Sequence, residues 1–327
     1  MAGNFKVAVL GPIPRDRIRT YQGDTLEKYG CALYTVAALS TLLGNDGAVL
    51  PVCHVRKRDE VPIKEILSQF SNVDVAGITS RLDQGDVVQL DYVDQNRRIE
   101  RQTGFMDPIL PEDMEGLTDA DAFVCVPITD YEVSRATLKY IKENSSGVVL
   151  LDAHGPTNTL TRTGERFHRF WVERDSWLPY IDILKMNLEE AGCSWFASEY
   201  DVSELGAVGQ LAMDELPKFA RHCLERGVKA VCVTLDQHGC VVYFNGPSGR
   251  MQEHVVKRVP VDHVVDTTGC GDSFAAGMAF GYLKHRDFIK ACQYGNAMGA
   301  QRCVGSELAI YKSLEETDRQ IADAYGV

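Results

Sequence analysis

VVDTTGCGDSFAAGMAFGYL, residues 264–283, is the stretch from which the rest of the chain can be read. An apolar strand end, Val264-Val265, runs into Asp266-Thr267-Thr268-Gly269-Cys270-Gly271-Asp272, after which the pattern turns helical, with Phe274, Met278 and Leu283 on one face. A glycine inside a helix costs about 1 kcal/mol relative to alanine, so Gly277 and Gly281 point to close packing against a neighbouring element. Gly269 and Gly271 let the backbone take positive φ or approach a ligand closely. The following helix turns its free N–H groups and positive dipole end back toward the same turn. Gly269, Cys270 and Gly271 therefore form a candidate anion hole, whose fixed donors would stabilise the equatorial oxygens of a phosphoryl group in transfer. Asp272 lies in the first helical turn beside it. Its carboxylate, kept charged at neutral pH by the dipole, is the candidate base for the proton of an attacking hydroxyl. Taken alone, GxGD also fits plain helix capping and chain reversal.

Upstream, short apolar runs alternate with helical patterns. FKVAVL (5–10), AVLPVC (48–53), VDVAGI (73–78), AFVCVPI (122–128), VVLLD (148–152), DILKMN (182–187) and KAVCVTL (229–235) read as strands, with helices at 30–43 and 61–70 among those between them. That alternation predicts an α/β fold, a doubly wound, mainly parallel sheet flanked by helices. Two stretches interrupt it, 12–22 and 86–103, the second with Asp94-Gln95-Asn96 as a hairpin-like turn. A hairpin inside a βαβ series joins a parallel sheet poorly, so both are expected in a small separate β-sheet, as a lid over a site or a dimer contact. No repeat or linker divides the chain, which is read as one domain over 1–327.

Composition narrows the function. The net charge of −12 argues against a nucleic-acid partner, whose binding needs clustered Lys and Arg. No apolar run approaches the roughly 18 residues of a membrane span, and the first strand lacks the basic flank of a signal peptide, so a cytoplasmic protein is expected. Ten cysteines without a CxxC pair read as reduced, and eight scattered histidines suggest no metal cage. Three basic clusters, Arg15, Arg17 and Arg19, then Arg56, Lys57 and Arg58, then Arg97, Arg98 and Arg101, read first as solvated faces. Neither GxxxxGK[ST] nor an amino-terminal GxGxxG occurs, since the first strand meets Gly11-Pro12; a dinucleotide-dependent oxidoreductase is thereby disfavoured.

DTTGCGDSF closely resembles the carboxyl-terminal signature DTxGAGDxF of the ribokinase-like, or PfkB-type, carbohydrate kinases, with Cys270 in place of the usual Ala. The resemblance implies Asp272 as catalytic base and the backbone of 269–271 as anion hole. LKMNLEEAG (184–192) is similar to the family's NxxE motif, which assigns Asn187 and Glu190 to the phosphates and a hydrated Mg²⁺; read alone, they are an N-cap and its capping-box partner. VTLDQHGCVVYF (233–244) looks like the family's VTLGxxG beside the nucleotide: Thr234 and Gly239 fit, and Asp236 stands where Gly is usual. The stretch from Gln293 to Gly305 resembles the helix and loop flanking adenine, with Asn296 as a nucleotide contact. By the same resemblance, carbonyls near Asp266, Thr268 and Gly305 would take a monovalent cation such as K⁺. In the substrate site the family carries an acidic residue, a di-glycine and an Asn. Here Asp16, Tyr29-Gly30 and Tyr34 stand near those positions.

The expectation is an ATP- and Mg²⁺-dependent kinase acting on a hydroxyl of a sugar, a sugar acid or a nucleoside. The 86–103 hairpin would serve as a lid that excludes water. Inward-turned Arg97, Arg98 or Arg101 would favour an anionic acceptor. A ligand-binding or regulatory protein on the kinase fold is the reading from another class, motivated by Tyr29-Gly30 and Tyr34.

Overall fold

The computed structural model describes residues 4–20, 22–93, 98–196 and 213–326. From the amino terminus the chain forms β1 (Phe5–Leu10), β2 (Arg15–Arg19), β3 (Thr25–Tyr29), α1 (Ala32–Leu43), β4 (Gly47–His54), α2 (Lys57–Leu67), β5 (Ile78–Thr79), β6 (Val87–Tyr92) and β7 (Arg98–Gly104). There follow β8 (Ala122–Cys125), α3 (Arg135–Asn144), β9 (Val148–Asp152), β10 (Asn158–Leu160), β11 (Arg166–His168), α4 (Arg174–Trp177), β12 (Ile183–Asn187) and α5 (Leu188–Ser194). The remainder holds α6 (Leu216–Leu224), β13 (Ala230–Thr234), β14 (Cys240–Asn245), β15 (Met251–Val256), α7 (Cys270–His285), α8 (Phe288–Cys303) and α9 (Leu314–Tyr325).

Nine strands make one sheet in the order β15-β14-β13-β12-β9-β8-β1-β4-β5, parallel except where β14 runs against both its neighbours. Its central strands are buried on both faces: every residue of β8 and β9 is buried, which is why they read as unbroken apolar runs rather than alternating ones. The expected small sheet exists, with strand order β3-β2-β6-β7, where β2 pairs parallel with β6 and the other pairs are antiparallel. Its inner face buries Ile18, Val88 and Leu90, with Ile128 of the core packed against them. Among the described residues, no helix is long and apolar enough to cross a membrane.

Several elements differ from the sequence reading. Residues 73–78 are not a strand: Val73 makes one isolated bridge to Val49, a 3-10 turn spans Val75–Gly77, and β5 begins only at Ile78. A Cβ on Gly77 would stand 2.4 Å from the Pro51 carbonyl, so between the bridge at Val73 and β5 the chain presses against β4 without pairing. The second helix begins at Lys57 instead of 61 and keeps Pro62 inside its second turn. β3 escaped notice because it is largely exposed and carries little apolar pattern. The proposed turn at 94–96 lies outside the described residues. Gly277 and Gly281 do mark close packing: a Cβ would meet the Tyr294 carbonyl at 2.4 Å and the Ala291 Cα at 2.9 Å, so α7 and α8 touch nearly backbone to backbone.

Candidate active site

The carboxyl ends of β9, β12 and β13 converge with the turn before α7 around a cavity of about 860 Å³. Such a crevice is where open parallel sheets bind ligands. Gly269 caps α7 in the left-handed region, φ 83°, and the Thr268 amide donates to Asp266 Oδ1 at 2.9 Å, which pins the turn. The Cys270 amide donates to the Thr267 carbonyl at 3.2 Å, so this member of the expected anion hole is already partly engaged. Amides in the first helical turn have no intrahelical acceptor, and Gly271 faces the cavity. Lys185 Nζ lies 3.2 Å from where a Cβ on Gly271 would stand, which adds an ammonium charge to the backbone donors.

Asp272 borders the same cavity and is half-buried. Burial, and then the nearby Asp152 carboxylate, push its carboxyl up to about 6, outweighing Lys185, His154 and the Cys31 thiol, which act the other way. The helix dipole therefore does not keep it an ordinary acid. It remains mostly ionised at neutral pH, with a proton affinity suited to a general base.

Asn187 and Glu190 form the capping box read from sequence: the Glu190 amide donates to Asn187 Oδ1 at 2.8 Å, and the Asn187 amide donates to Glu190 Oε2 at 2.7 Å. Glu190 also accepts from His154 Nδ1 at 2.9 Å, and Asn187, Glu190 and His154 all face the cavity. Burial would raise the Glu190 carboxyl, but the His154 bond and charge hold it below the usual range, and Glu190 in turn raises His154. Lys185 pairs with Asp152 at 2.6 Å, with both side chains nearly inaccessible. Burial still raises Asp152, with Glu190 adding to it. The carboxylates of Asp152, Glu190 and Asp272 thus crowd around the Lys185 ammonium and the His154 ring. An all-oxygen set short of positive charge fits a partly hydrated Mg²⁺.

Thr234, Gly239 and Asn296 line the cavity too. Gly239 takes φ 91° where a Cβ would strike the Val256 carbonyl at 2.2 Å, and Asp236, in the place of the usual Gly, itself adopts φ 48°. Asn296 donates to the Lys257 carbonyl at 3.0 Å, tying α8 to the chain after β15.

Asp16, Gly30 and Tyr34 come together outside the lining of the large cavity. A Cβ on Gly30 would be 2.7 Å from Asp16 Oδ2 and 3.5 Å from the Tyr34 ring. The Tyr29 hydroxyl donates to Asp59 at 3.0 Å, and Cys31, next after Gly30, is the N-cap of α1. Cys31 has φ 50°, rare for a residue with a side chain, and its thiol donates to Asp272 Oδ1 at 3.7 Å. The Thr35 hydroxyl donates to the Asp272 carbonyl at 3.2 Å, fixing α1 to α7.

Near the residues expected to hold a monovalent cation lies a protein cation. The inaccessible guanidinium of Arg302 pairs with Asp266 at 3.2 Å, donates to the Gly305 carbonyl and lies 4.5 Å over the Tyr34 ring. Arg101 is half-exposed and bound to Glu165 at 3.2 Å, so it is committed away from an acceptor. The side chains of Arg97 and Arg98 lie outside the described residues.

Residues 152–314 match the model of the pfkB family carbohydrate kinase. The chain belongs to this family. A sugar kinase of Archaeoglobus fulgidus, described as uncharacterized, is 39% identical over 85 residues, 26% of this chain and 31% of its own length. The ribokinase of Mus musculus is 43% identical over 70 residues, 21% of this chain and 20% of its own. The matched stretches therefore span less than a third of these curated relatives. Among solved structures, Arabidopsis thaliana ribokinase complexed with ribose and ATP superposes with a TM-score of 0.74 at 16% identity, covering 98% of this chain and 99% of the other. A Burkholderia thailandensis nucleoside kinase in complex with inosine gives 0.69 at 15%, covering 98% and 99%. The expected ribokinase-like fold is the one observed.

Four residues of this pfkB-family site escaped the sequence reading: Asp152, His154, Lys185 and Cys31. A lysine inside the apolar strand DILKMN is a signal that could have been used, since a buried charge demands a partner. Nothing local marks Cys31, whose importance lies in its backbone angle.

Proposed function

We propose that the chain transfers the γ-phosphoryl group of ATP to a hydroxyl of a sugar, sugar acid or nucleoside, with Asp272 as general base. The observation that carries this reading is the position of Asp272. Its carboxyl, with proton affinity raised by burial, lines the large cavity and is reached by the thiol of Cys31, the residue next to Gly30 in the cluster of Asp16, Gly30 and Tyr34. A donor in the cavity and an acceptor beside that cluster would meet at that side chain. Apolar Val259, Val261 and Ala300 in the cavity lining suit a purine base, and the amides at 269–271 with Lys185 suit the phosphates. Mg²⁺ bound near Glu190 through water, with Asp152 beside it, would neutralise phosphate charge.

The chain's own groups do the rest. Asp272 takes the hydroxyl proton as the oxygen attacks. Lys185 and the turn amides receive the charge on the transferred group, and the sheet β3-β2-β6-β7 acts as a lid that keeps water out. Arg302 supplies the positive charge that a monovalent cation would otherwise bring near Asp266 and Gly305. The lid's outer strand β3 carries exposed Leu26, and a homodimer would form by pairing along that edge.

The test is a screen of nucleotide consumption across sugars, sugar acids and nucleosides, with Asp272→Asn as control. Pyrophosphate is run as a second donor, because a pyrophosphate-dependent kinase of the ribokinase family is among the fold neighbours. Turnover that collapses in the variant supports the reading. Turnover retained by the variant removes Asp272 as base, and nucleotide binding without turnover on any acceptor favours the regulatory-protein reading.

A further inference from the structure

Eight of the ten cysteines are buried, and Cys270 and Cys303 alone are partly exposed. These two are also neighbours. Their sulfurs lie 3.0 Å apart, inside ordinary van der Waals contact for sulfur, and both residues line the large cavity, through which solvent reaches them. A disulfide needs about 2.05 Å between sulfurs, so closure asks for roughly 1 Å of approach. Cys270 is the first residue of α7 and Cys303 the last of α8, and these helices pack nearly backbone to backbone. Little of the fold has to move.

We propose that Cys270 and Cys303 are a dithiol modification site, which peroxide-class oxidants close to a disulfide and thiol reductants reopen. In the first step one thiol gives up its proton and the thiolate attacks hydrogen peroxide: an S–O bond forms, the O–O bond breaks, the sulfur becomes a sulfenic acid, and the departing hydroxide takes that proton and leaves as water. In the second, the other thiol attacks that sulfur, the S–S bond forms and a second water leaves. Two thiols are oxidised, one peroxide is reduced, and atoms balance.

Closure has a consequence at the site. The Cys303 carbonyl accepts from the Val265 amide at 2.7 Å, so the chain entering the turn is already tied to Cys303. A covalent link from Cys270 to the same residue draws both ends of the turn toward α8, and it places a disulfide on the cavity wall. Displacement of backbone donors by about 1 Å costs on the order of 10²-fold in rate. The loss of turnover rests on the kinase reading; formation of the link does not.

The experiment treats the reduced full chain with hydrogen peroxide, blocks remaining thiols, and maps linked peptides by mass spectrometry. Nucleotide binding is measured by a fluorescent ATP analogue, and turnover where an acceptor is known. Expected are a single linked pair, Cys270 with Cys303, loss of two hydrogens in mass, and slower closure in the presence of ADP. Binding or turnover should fall at least about tenfold and return with dithiothreitol. Cys303→Ala, compared with itself before peroxide, should lose neither. A different linked pair, or no link under conditions that oxidise a free dithiol peptide, overturns the site. A linked protein with unchanged binding and turnover overturns its effect. A chain that cross-links and loses nucleotide but never shows turnover supports the dithiol and counts against the kinase reading, so the two fail separately.

Discussion

The ring of Tyr34 fills the space that a side chain at residue 269 would need: a Cβ on Gly269 would stand 2.3 Å from Tyr34 Cδ2. One contact thus joins the amino-terminal helix to the glycine turn before α7. Gly269→Ala would clash with that ring and hold alanine at φ 83°, in the left-handed region. The expected loss is about 2–4 kcal/mol in unfolding free energy from overpacking and backbone strain together, read from denaturant midpoints. Gly269→Ala with Tyr34→Ala should cost less than the sum of the single changes, because the clash is absent from the pair.

Asp272→Asn should lower kcat by roughly 10²–10⁴-fold with little change in the nucleotide KM. It should also stabilise the protein at neutral pH. The carboxyl is raised from an ordinary 3.8 to about 6, so the fold opposes its ionisation. Above pH 6 that opposition costs stability; as pH falls from 6 toward 4 the folded state takes the proton first and the cost disappears. Asparagine, uncharged throughout, should gain about 1–3 kcal/mol at pH 7, after allowance for the water of the open cavity, and nothing near pH 4. Melting temperatures at the two pH values decide it; a lower Tm for the variant at pH 7 would remove the buried-charge argument.

For the same reason kcat/KM should fall on the acid side of about pH 6, tenfold for each further pH unit, and level off above it. Lys185 helps keep Asp272 ionised. Lys185→Met should therefore move this limb to higher pH, besides destabilising the fold by about 3–5 kcal/mol through the unpaired Asp152. An acid limb that stays put in the variant would separate Lys185 from the base.

Arg302→Met would leave the Asp266 carboxylate and the Gly305 carbonyl without their shared donor. A loss of about 3–5 kcal/mol is expected by chemical denaturation. In the unaltered chain, replacing K⁺ by tetramethylammonium should leave turnover unchanged, since the guanidinium is already in place. Strong K⁺ activation of the unaltered chain would refute that role.

The pieces legible in the sequence were those whose chemistry is contiguous. The glycine turn and the acid-bearing α7 follow one another directly, although Val264-Val265, read as a strand end, is exposed chain outside any strand, and the Asn187 and Glu190 capping box closes within a single helical turn. The interruption at 86–103 announced a separate sheet because a hairpin cannot enter a parallel ladder. The misreading at 73–78 has the opposite cause: its apolar run was strand-like, and only the close passage of Gly77 over Pro51 prevented a strand.

By itself, then, the sequence determined most of the alternation of strands and helices along the chain, the glycine turn and the acid beside it, since backbone angles and capping depend on neighbours a few residues away. Only the tertiary structure decided that Lys185 faces Asp152 across 33 positions, that Arg302 reaches Asp266 and that Cys31 touches Asp272. Those meetings depend on sheet order and register, and a pattern of residue types along one strand carries no information about which distant strand lies beside it.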